Sequence, residues 1–290
     1  MSTKHTAFVF AGGGSLGAVQ VGMLKALARQ RIRPDFIVGA SVGAINGAYF
    51  AGQPDVRGTA RLEWIWQRLT RRVIFPFSPL SSALGFLGVS DHLVDPDRLR
   101  RLLEKGLPYR RIEDAEIPLH VVATDVLDGK EVVISRGPAV RALLASAAIP
   151  AIYPMVPLQR RHLIDGGIAN NTPISTALRK GAERLVILPT GRSCELRHPP
   201  RGAAAIALHA LNVLIMRQLV DDLERFEGEA ELITLPPLCP VAVNAYDFSQ
   251  SASLIRRAET QTRRWLSHHG LSPQGTPSEL AAHDHAEAAA

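Results

Sequence analysis

Twice before residue 52, a short run that is apolar at nearly every position meets a glycine-bearing turn and then a helical pattern. Thr6-Ala-Phe-Val-Phe-Ala11 runs into Gly12-Gly-Gly-Ser-Leu-Gly17 and a helical repeat over 18–30. Phe36-Ile-Val-Gly39 then runs into Ala40-Ser-Val-Gly43 and a small-residue helix over 42–51. A strand that is apolar throughout, rather than at alternate positions, expects cover on both faces. Strands that alternate with helices must return by crossovers, which makes them parallel. The rhythm therefore predicts an α/β fold with a largely parallel sheet.

The rhythm breaks over 54–115, which is rich in Arg, Pro and Trp, with helices expected over 57–69 and 96–105. This reads as a helical and irregular insertion over one edge of the sheet. Its apolar run Val73-Ile-Phe-Pro-Phe-Ser-Pro-Leu80 to Phe86-Leu-Gly-Val89 fits either a lid with lipid contact through Phe75, Phe77 and Phe86, or an ordinary core cap. Strands resume over 119–123 and 131–135, joined across Asp128-Gly129 as a hairpin. A helix is expected over 140–149 and a short strand at Leu163-Ile-Asp-Gly-Gly167. Another helix starts at Thr172-Pro173, with Thr172 as its cap, and ends at Gly181. A strand over 184–188, a long helix over 203–226, a strand over 232–235 and a helix over 249–268 complete one domain, 1–271. Its motifs fall within 6–190 and its C-terminal helical part spans 203–270. From Ser272 to Ala290 the composition predicts a disordered tail, in which His283 and His285 are solvated.

Gly39-Ala-Ser-Val-Gly43 is a G-x-S-x-G between a strand and a helix. In that context Ser41 is either a nucleophile held on a tight bend, with Gly39 and Gly43 relieving the crowding, or a cap for the helix that follows. Gly12-Gly-Gly-Ser-Leu-Gly17 also matches a dinucleotide fingerprint, G-x-G-x-x-G. That reading needs an acid at the end of the second strand, and Asp35 stands at its beginning. A phosphate loop fails because no Lys-Ser or Lys-Thr follows the glycines. What remains is a nest of backbone amides, from Gly12, Gly13, Gly14 and Ser15, suited to an oxyanion. As a partner for Ser41, His120 falls within a strand, His162 beside two arginines and His209 inside an apolar helix. Asp165 alone stands where a buried strand meets a glycine turn, Gly166-Gly167, either as a base or as a structural turn carboxylate.

These three elements in this order resemble the patatin-like phospholipase family. Ala145-Ser-Ala-Ala-Ile-Pro150 and Asn170-Asn-Thr-Pro173 look like that family's flanking segments, and the resemblance covers about 6–190. It implies a three-layer sandwich, the largely parallel central sheet flanked by helices, with a Ser41–Asp165 dyad without histidine, an oxyanion loop at Gly12–Ser15, no cofactor or metal, and hydrolysis of lipid carboxylic esters through an acyl-enzyme. The substrate is expected in the phospholipid or lysophospholipid class, although relatives also act on triglycerides and other acyl esters. One departure stands out: Leu16 occupies a position where many relatives carry Arg or Lys.

Composition sets the remaining expectations. The formal charge of +6 comes mostly from Arg and suits an anionic lipid surface or nucleic acid equally, with scattered solvated Arg the commoner explanation, while no basic–aromatic run marks a nucleic-acid groove. Cys194 and Cys239 have no metal-ligand spacing and form no disulfide framework, which makes a reducing, cytoplasmic setting the default. Neither a signal peptide nor a spanning helix is expected, since the apolar stretch 203–216 falls short of the ~18–20 residues required. Contact with a membrane would be peripheral. An acyltransferase using the same dyad, a catalytically silent lipid-binding protein and a dinucleotide-binding oxidoreductase remain as alternatives.

Overall fold

The computed structural model describes residues 4–74, 92, 94–191, 194, 199–200 and 202–280. Its centre is an eight-stranded mixed sheet. Five strands are parallel: β1 (Thr6–Phe10), β2 (Phe36–Ala40), β3 (Leu119–Asp125), β7 (Arg184–Leu188) and β8 (Glu231–Thr234), in the order β3-β2-β1-β7-β8. Beyond β3 the sheet turns antiparallel. There β3 pairs with β4 (Glu131–Ile134) and β6 (Arg161–Asp165), and β6 with β5 (Val156–Leu158).

Alternation along the strands builds two separate cores. Phe8 and Phe10 of β1, with Ile37 of β2, face a layer made by α1 (Gly17–Arg29), α2 (Val42–Gly52), α3 (Val56–Trp66), α5 (Asp97–Gly106), α6 (Ala139–Ser146) and α10 (Ser251–His269). Ala7, Val9 and Val38 face the other way, onto α8 (Ile174–Arg179) and α9 (Ala203–Arg225), where Met216, Leu219 and Leu223 are buried. Each central strand is thus apolar on both faces, as its continuous run requires. Two short helices, α4 (Arg71–Ile74) and α7 (Gly167–Asn170), complete the α-helices among the described residues.

Several local expectations change. The Asp128-Gly129 hairpin forms, with Gly129 at φ 69°, but β3 runs on to Asp125, and β5 carried no expectation at all. The helix expected over 140–149 ends at Ser146, because 147–150 turns to pass its carbonyls to the site strand: Asp165 donates its amide to Ala148 O at 2.9 Å. Thr172 does not cap α8. The cap position is Pro173, and Thr172 Oγ1 is buried without a hydrogen-bond partner. Order also extends past the expected boundary at Ser272, since Leu280 is buried against the α9 side of the sheet. Residues 281–290 lie outside the described residues, as do Phe75, Phe77, Phe86 and most of the apolar run of the insertion. In the described part of the insertion, Asp55 accepts from Gly58 N at 2.7 Å to start α3, whose Leu62, Ile65 and Trp66 are buried while Val56 and Trp64 are exposed. Cys194 and Cys239 approach to 3.7 Å between their sulfurs, as thiols. Among the described residues, no helix is long and apolar enough to cross a membrane.

The crossing of α1 on α10 depends on Gly22, where a Cβ would collide with the Ile255 carbonyl and lie 2.7 Å from Ala258 Cβ. Alanine in place of a helical glycine ordinarily stabilises by ~1 kcal/mol. At this crossing the sign should reverse. Gly22→Ala is expected to lower stability by ~1–3 kcal/mol through overpacking, read as a lower urea midpoint at unchanged m.

Candidate active site

Ser41 leaves β2 at φ 54°, ψ −130°, a conformation that costs a side-chain-bearing residue ~1–3 kcal/mol and survives only where its surroundings impose it. The restraint is visible. Gly39 is the last β2 residue in register with β1, opposite Phe10, and Gly43 brings the first turn of α2 onto that strand's end, where a Cβ would lie 2.5 Å from Ala11 O. The Ser41 amide donates to Ser146 Oγ at 2.8 Å, and that hydroxyl donates onward to Val122 O of β3 at 2.5 Å. Ser41 occupies the cap position of α2, yet its hydroxyl makes no cap bond. It donates instead to Asp165 Oδ2 at 2.6 Å.

Strand register explains how residues 124 positions apart meet. On β3, Val122 faces Ala40 and the next residue, Ala123, faces Asp165. Because β4 holds the opposite edge of β3 across 121–124, β2 and β6 share one edge. They run toward each other along it and stop with their C-terminal ends abutting. Asp165 is then fixed on all sides. Its Oδ1 accepts from Gly167 N at 2.8 Å, its carbonyl accepts from Thr124 Oγ1 at 2.8 Å, and Gly166 N donates to Ser146 O at 3.0 Å. Asp165 is 6% exposed, and burial pushes its carboxyl up to about 6, against the pull of the Ser41 and Gly167 hydrogen bonds.

The histidines stand elsewhere. His120 lies two residues before Val122 on β3, its Nδ1 2.6 Å from Ser135 Oγ, and burial, followed by the Lys180 charge, holds it down at about 4. His162 is exposed on β6 and His209 half-buried on α9. Among the described residues, no hydrogen bond joins any of the three to Ser41 or Asp165. Asp35 accepts from Thr6 N at 2.7 Å where β1 and β2 begin, at the far end of the sheet from Ser41.

In the glycine loop the four expected amides divide into two pairs. Gly12 N donates to Asn171 O at 3.1 Å and Ser15 N to Ala245 O at 2.7 Å, so both are engaged. The amides of Gly13 and Gly14 have no protein acceptor among the described residues, and both glycines line a cavity with Ser41. Gly14 stands at φ 59°, and a Cβ there would collide with Ala245 O. Leu16 is fully buried in the core on the α1 side, so its position serves packing and offers no group to the loop. The braces were not legible in the sequence: Thr190 Oγ1 donates to Gly12 O at 2.9 Å, and Ser15 Oγ donates to Asn244 O at 3.1 Å.

Two cavities meet at Ser41. The smaller is lined by Gly13, Asp165, Asn171, Asn212 and Tyr246. The other is almost wholly apolar and runs between α2, α3 and α5. Among the described residues, no three His, Cys, Asp or Glu side chains are grouped to hold a metal.

Residues 8–178 match the family model described as patatin-like phospholipase. The chain is 29% identical over 195 residues to mouse patatin-like phospholipase domain-containing protein 7, which is 64% of this chain and 13% of that protein. It is 31% identical over 175 residues to an uncharacterized NTE family protein of Mycobacterium tuberculosis, covering 60% and 46% of the two chains. It is 28% identical over 196 residues to lysophospholipase NTE1 of Cryptococcus neoformans, covering 65% and 11%. The chain thus spans less than half the length of each of these relatives. Among solved structures it is similar to VipD from Legionella pneumophila, with a TM-score of 0.50 at 14% identity over 92% of this chain and 68% of VipD. It is also similar to human GIVD cytosolic phospholipase A2, with a TM-score of 0.51 at 12% identity over 91% and 59%. At such identities the likeness is one of fold. The family match runs from β1 into α8 and takes in the glycine loop, the Ser41 bend and Asp165, and this chain belongs to the patatin-like phospholipase family.

Proposed function

We propose that the protein hydrolyses carboxylic esters of lipids, of the phospholipid or lysophospholipid class, through a Ser41–Asp165 dyad. The observation that carries this reading is the 2.6 Å hydrogen bond from the strained Ser41 hydroxyl to a buried carboxylate. Ser41 Oγ attacks the acyl carbonyl carbon while its proton passes to Asp165 Oδ2. The amides of Gly13 and Gly14 receive the oxyanion, and each such donor is worth ~3 kcal/mol in the transition state. Collapse expels the alcohol, which takes the proton back from Asp165. Water then attacks the acyl-enzyme, giving its proton to Asp165, and the released fatty acid leaves Ser41 with its hydroxyl restored. Asp165 returns that proton to Ser41 Oγ, so water is the one co-reactant the cycle consumes.

Contact with a lipid surface is part of the same reading. On α9, Leu211 and Ile215 line the smaller cavity, while Ile206, Val213 and Leu214 are 55%, 42% and 61% exposed. A helix wet on one apolar face and lining the site on another suits the boundary of a bilayer. Val213→Asp combined with Leu214→Asp is expected to depress hydrolysis of anionic vesicles at least tenfold relative to a soluble short-chain ester. Equal loss on both substrates would remove the contact.

A fluorophosphonate is expected to label Ser41, and Ser41→Ala to abolish labelling and hydrolysis together. Undiminished hydrolysis would overturn the assignment. Asp165→Asn is expected to lower kcat on a soluble ester by ~10²–10⁴ while His120→Gln, His162→Gln and His209→Gln keep most of it, with circular dichroism confirming each fold.

The pH dependence follows from the raised carboxyl. The base is the ionised form, which is lost as pH falls through about 6, so kcat/KM should drop about tenfold per unit below that point. The same shift acts on stability. A carboxyl raised on folding contributes stability that is present below its unfolded value of 3.8 and lost as pH rises through about 6. Asp165→Asn should therefore melt no lower than the wild type at pH 8. An acid limb near 4 would contradict the proposed base.

A further inference from the structure

We propose that the apolar cavity behind Ser41 is a ruler for the acyl chain, graduated along α2, with Ile45 at its midpoint and Tyr49 as its floor. This rests on the acyl-enzyme reading above. Val42, Ile45 and Tyr49 recur every three or four residues, so they stack on one face of α2, directly below the bend that carries Ser41. All three line the apolar cavity, and Val42 and Ile45 are only half-buried although core surrounds them, as side chains facing an empty channel would be.

The opposite wall is rigid. Leu62 and Trp66 stack one turn apart on α3, and the Trp66 indole donates to Asn46 Oδ1 at 2.9 Å. Asn46 donates to Gln20 Oε1 at 2.8 Å, and Gln20 in turn donates to the Ala11 and Leu188 carbonyls at 2.8 and 2.9 Å. This buried amide chain ties the indole to the strand ends beside Ser41, and Phe248 stacks on it at 6.0 Å. The floor is equally fixed. Tyr49 donates to Leu102 O at 3.3 Å and packs so tightly on Gly106 that a Cβ there would collide with its hydroxyl.

Helix rise converts this wall into a length. From Ser41 to Tyr49 is about 12 Å and to Ile45 about 6 Å at 1.5 Å per residue. An extended alkyl chain advances about 1.25 Å per methylene, given C–C bonds near 1.52 Å at the tetrahedral angle. The channel therefore holds roughly nine or ten carbons before Tyr49, and half that number before Ile45. Each methylene entering it leaves water, worth up to about fourfold in kcat/KM; each one beyond the floor gains nothing.

The test is kcat/KM for a series of p-nitrophenyl esters from four to sixteen carbons, with active protein counted by fluorophosphonate labelling of Ser41. The wild type is expected to rise steeply to about ten carbons and then level off. Ile45→Trp, which fills the channel halfway, is expected to move the break to about five carbons, and Ile45→Phe, a smaller intrusion should the first variant misfold, to an intermediate length. A break that stays put in a folded variant would overturn the ruler while leaving Ser41-dependent hydrolysis intact, as would a wild-type profile flat from four carbons. Hydrolysis that persists in Ser41→Ala would overturn the function and the ruler together.

Discussion

β2 and β6 run toward each other along one edge of β3 and stop one residue short of overlapping. The consecutive pairs Ala40 with Val122 and Asp165 with Ala123 record that abutment. A serine leaving one strand and a carboxylate ending the other have no slack between them, because both are in register with the same backbone. This is why β3 must outrun β2 by three residues, and why the sheet changes from parallel to antiparallel at this edge. A helical crossover would deliver the second strand running the same way as the first, and its end would then lie beside Ser41 rather than facing it. Ser146 and Thr124 fasten the junction from two sides through side chains that reach backbone groups of both strands. A bend that costs its serine conformational energy can persist because four segments of the sheet and its flanking helix determine it jointly.

The same junction sets the electrostatics. Two aspartates end neighbouring strands here, and their surroundings differ in kind. Asp125, at the end of β3, accepts from Arg161 at 2.9 Å and from Leu127 N at 3.1 Å, so its charge has a cation beside it. Asp165 is as deeply buried but, among the described residues, is stabilised only by the Ser41 hydroxyl and one backbone amide. A structural carboxylate in the interior is ordinarily paired, since an ionised group without a counter-ion loses its hydration for little return. Leaving Asp165 without one keeps its proton affinity high, which is what a carboxylate needs to act as a base on a hydroxyl.

Much of this was legible in the chain. The central strands announced themselves by being apolar on both faces, the hairpin by Asp128-Gly129, and the bend by its two glycines; each is a local signal within a few residues. Ser41 and Asp165 could be singled out because each combined a reactive group with turn chemistry at a strand end. What escaped reading has no local signature. β5 is three residues long and alternates nothing. Thr190 and the carbonyls of Asn244 and Ala245 brace the glycine loop from irregular segments far along the chain. Thr172 carried the chemistry of a cap, yet Pro173 took the cap position, and the Thr172 hydroxyl ended buried without a partner. Leu280 sits in a stretch whose composition reads as solvated, but a single apolar residue sufficed to return it to the core on the α9 side.

The division of the glycine loop follows from the demands on any oxyanion site. Donors are effective when they are already aimed and need no reorganisation as charge develops, which requires the loop to be held by something other than the substrate. Here the outer two of the four amides provide that hold. Gly12 is tied to Asn171, whose neighbour Asn170 ends the short helix opened by the Asp165 turn, and Ser15 is tied to Ala245, next to the Tyr246 that lines the site. The inner two, Gly13 and Gly14, are the residues whose backbone takes up positive φ, at 156° and 59°. Successive residues in such conformations turn their N–H groups to one side as a nest. A side chain at Gly13 would collide with Thr190, and one at Gly14 with Ala245, so the groups that brace the loop also forbid any other residue at the two positions left open. The next residue, Leu16, could then be given over to the core, because nothing in this arrangement asks it for a charge.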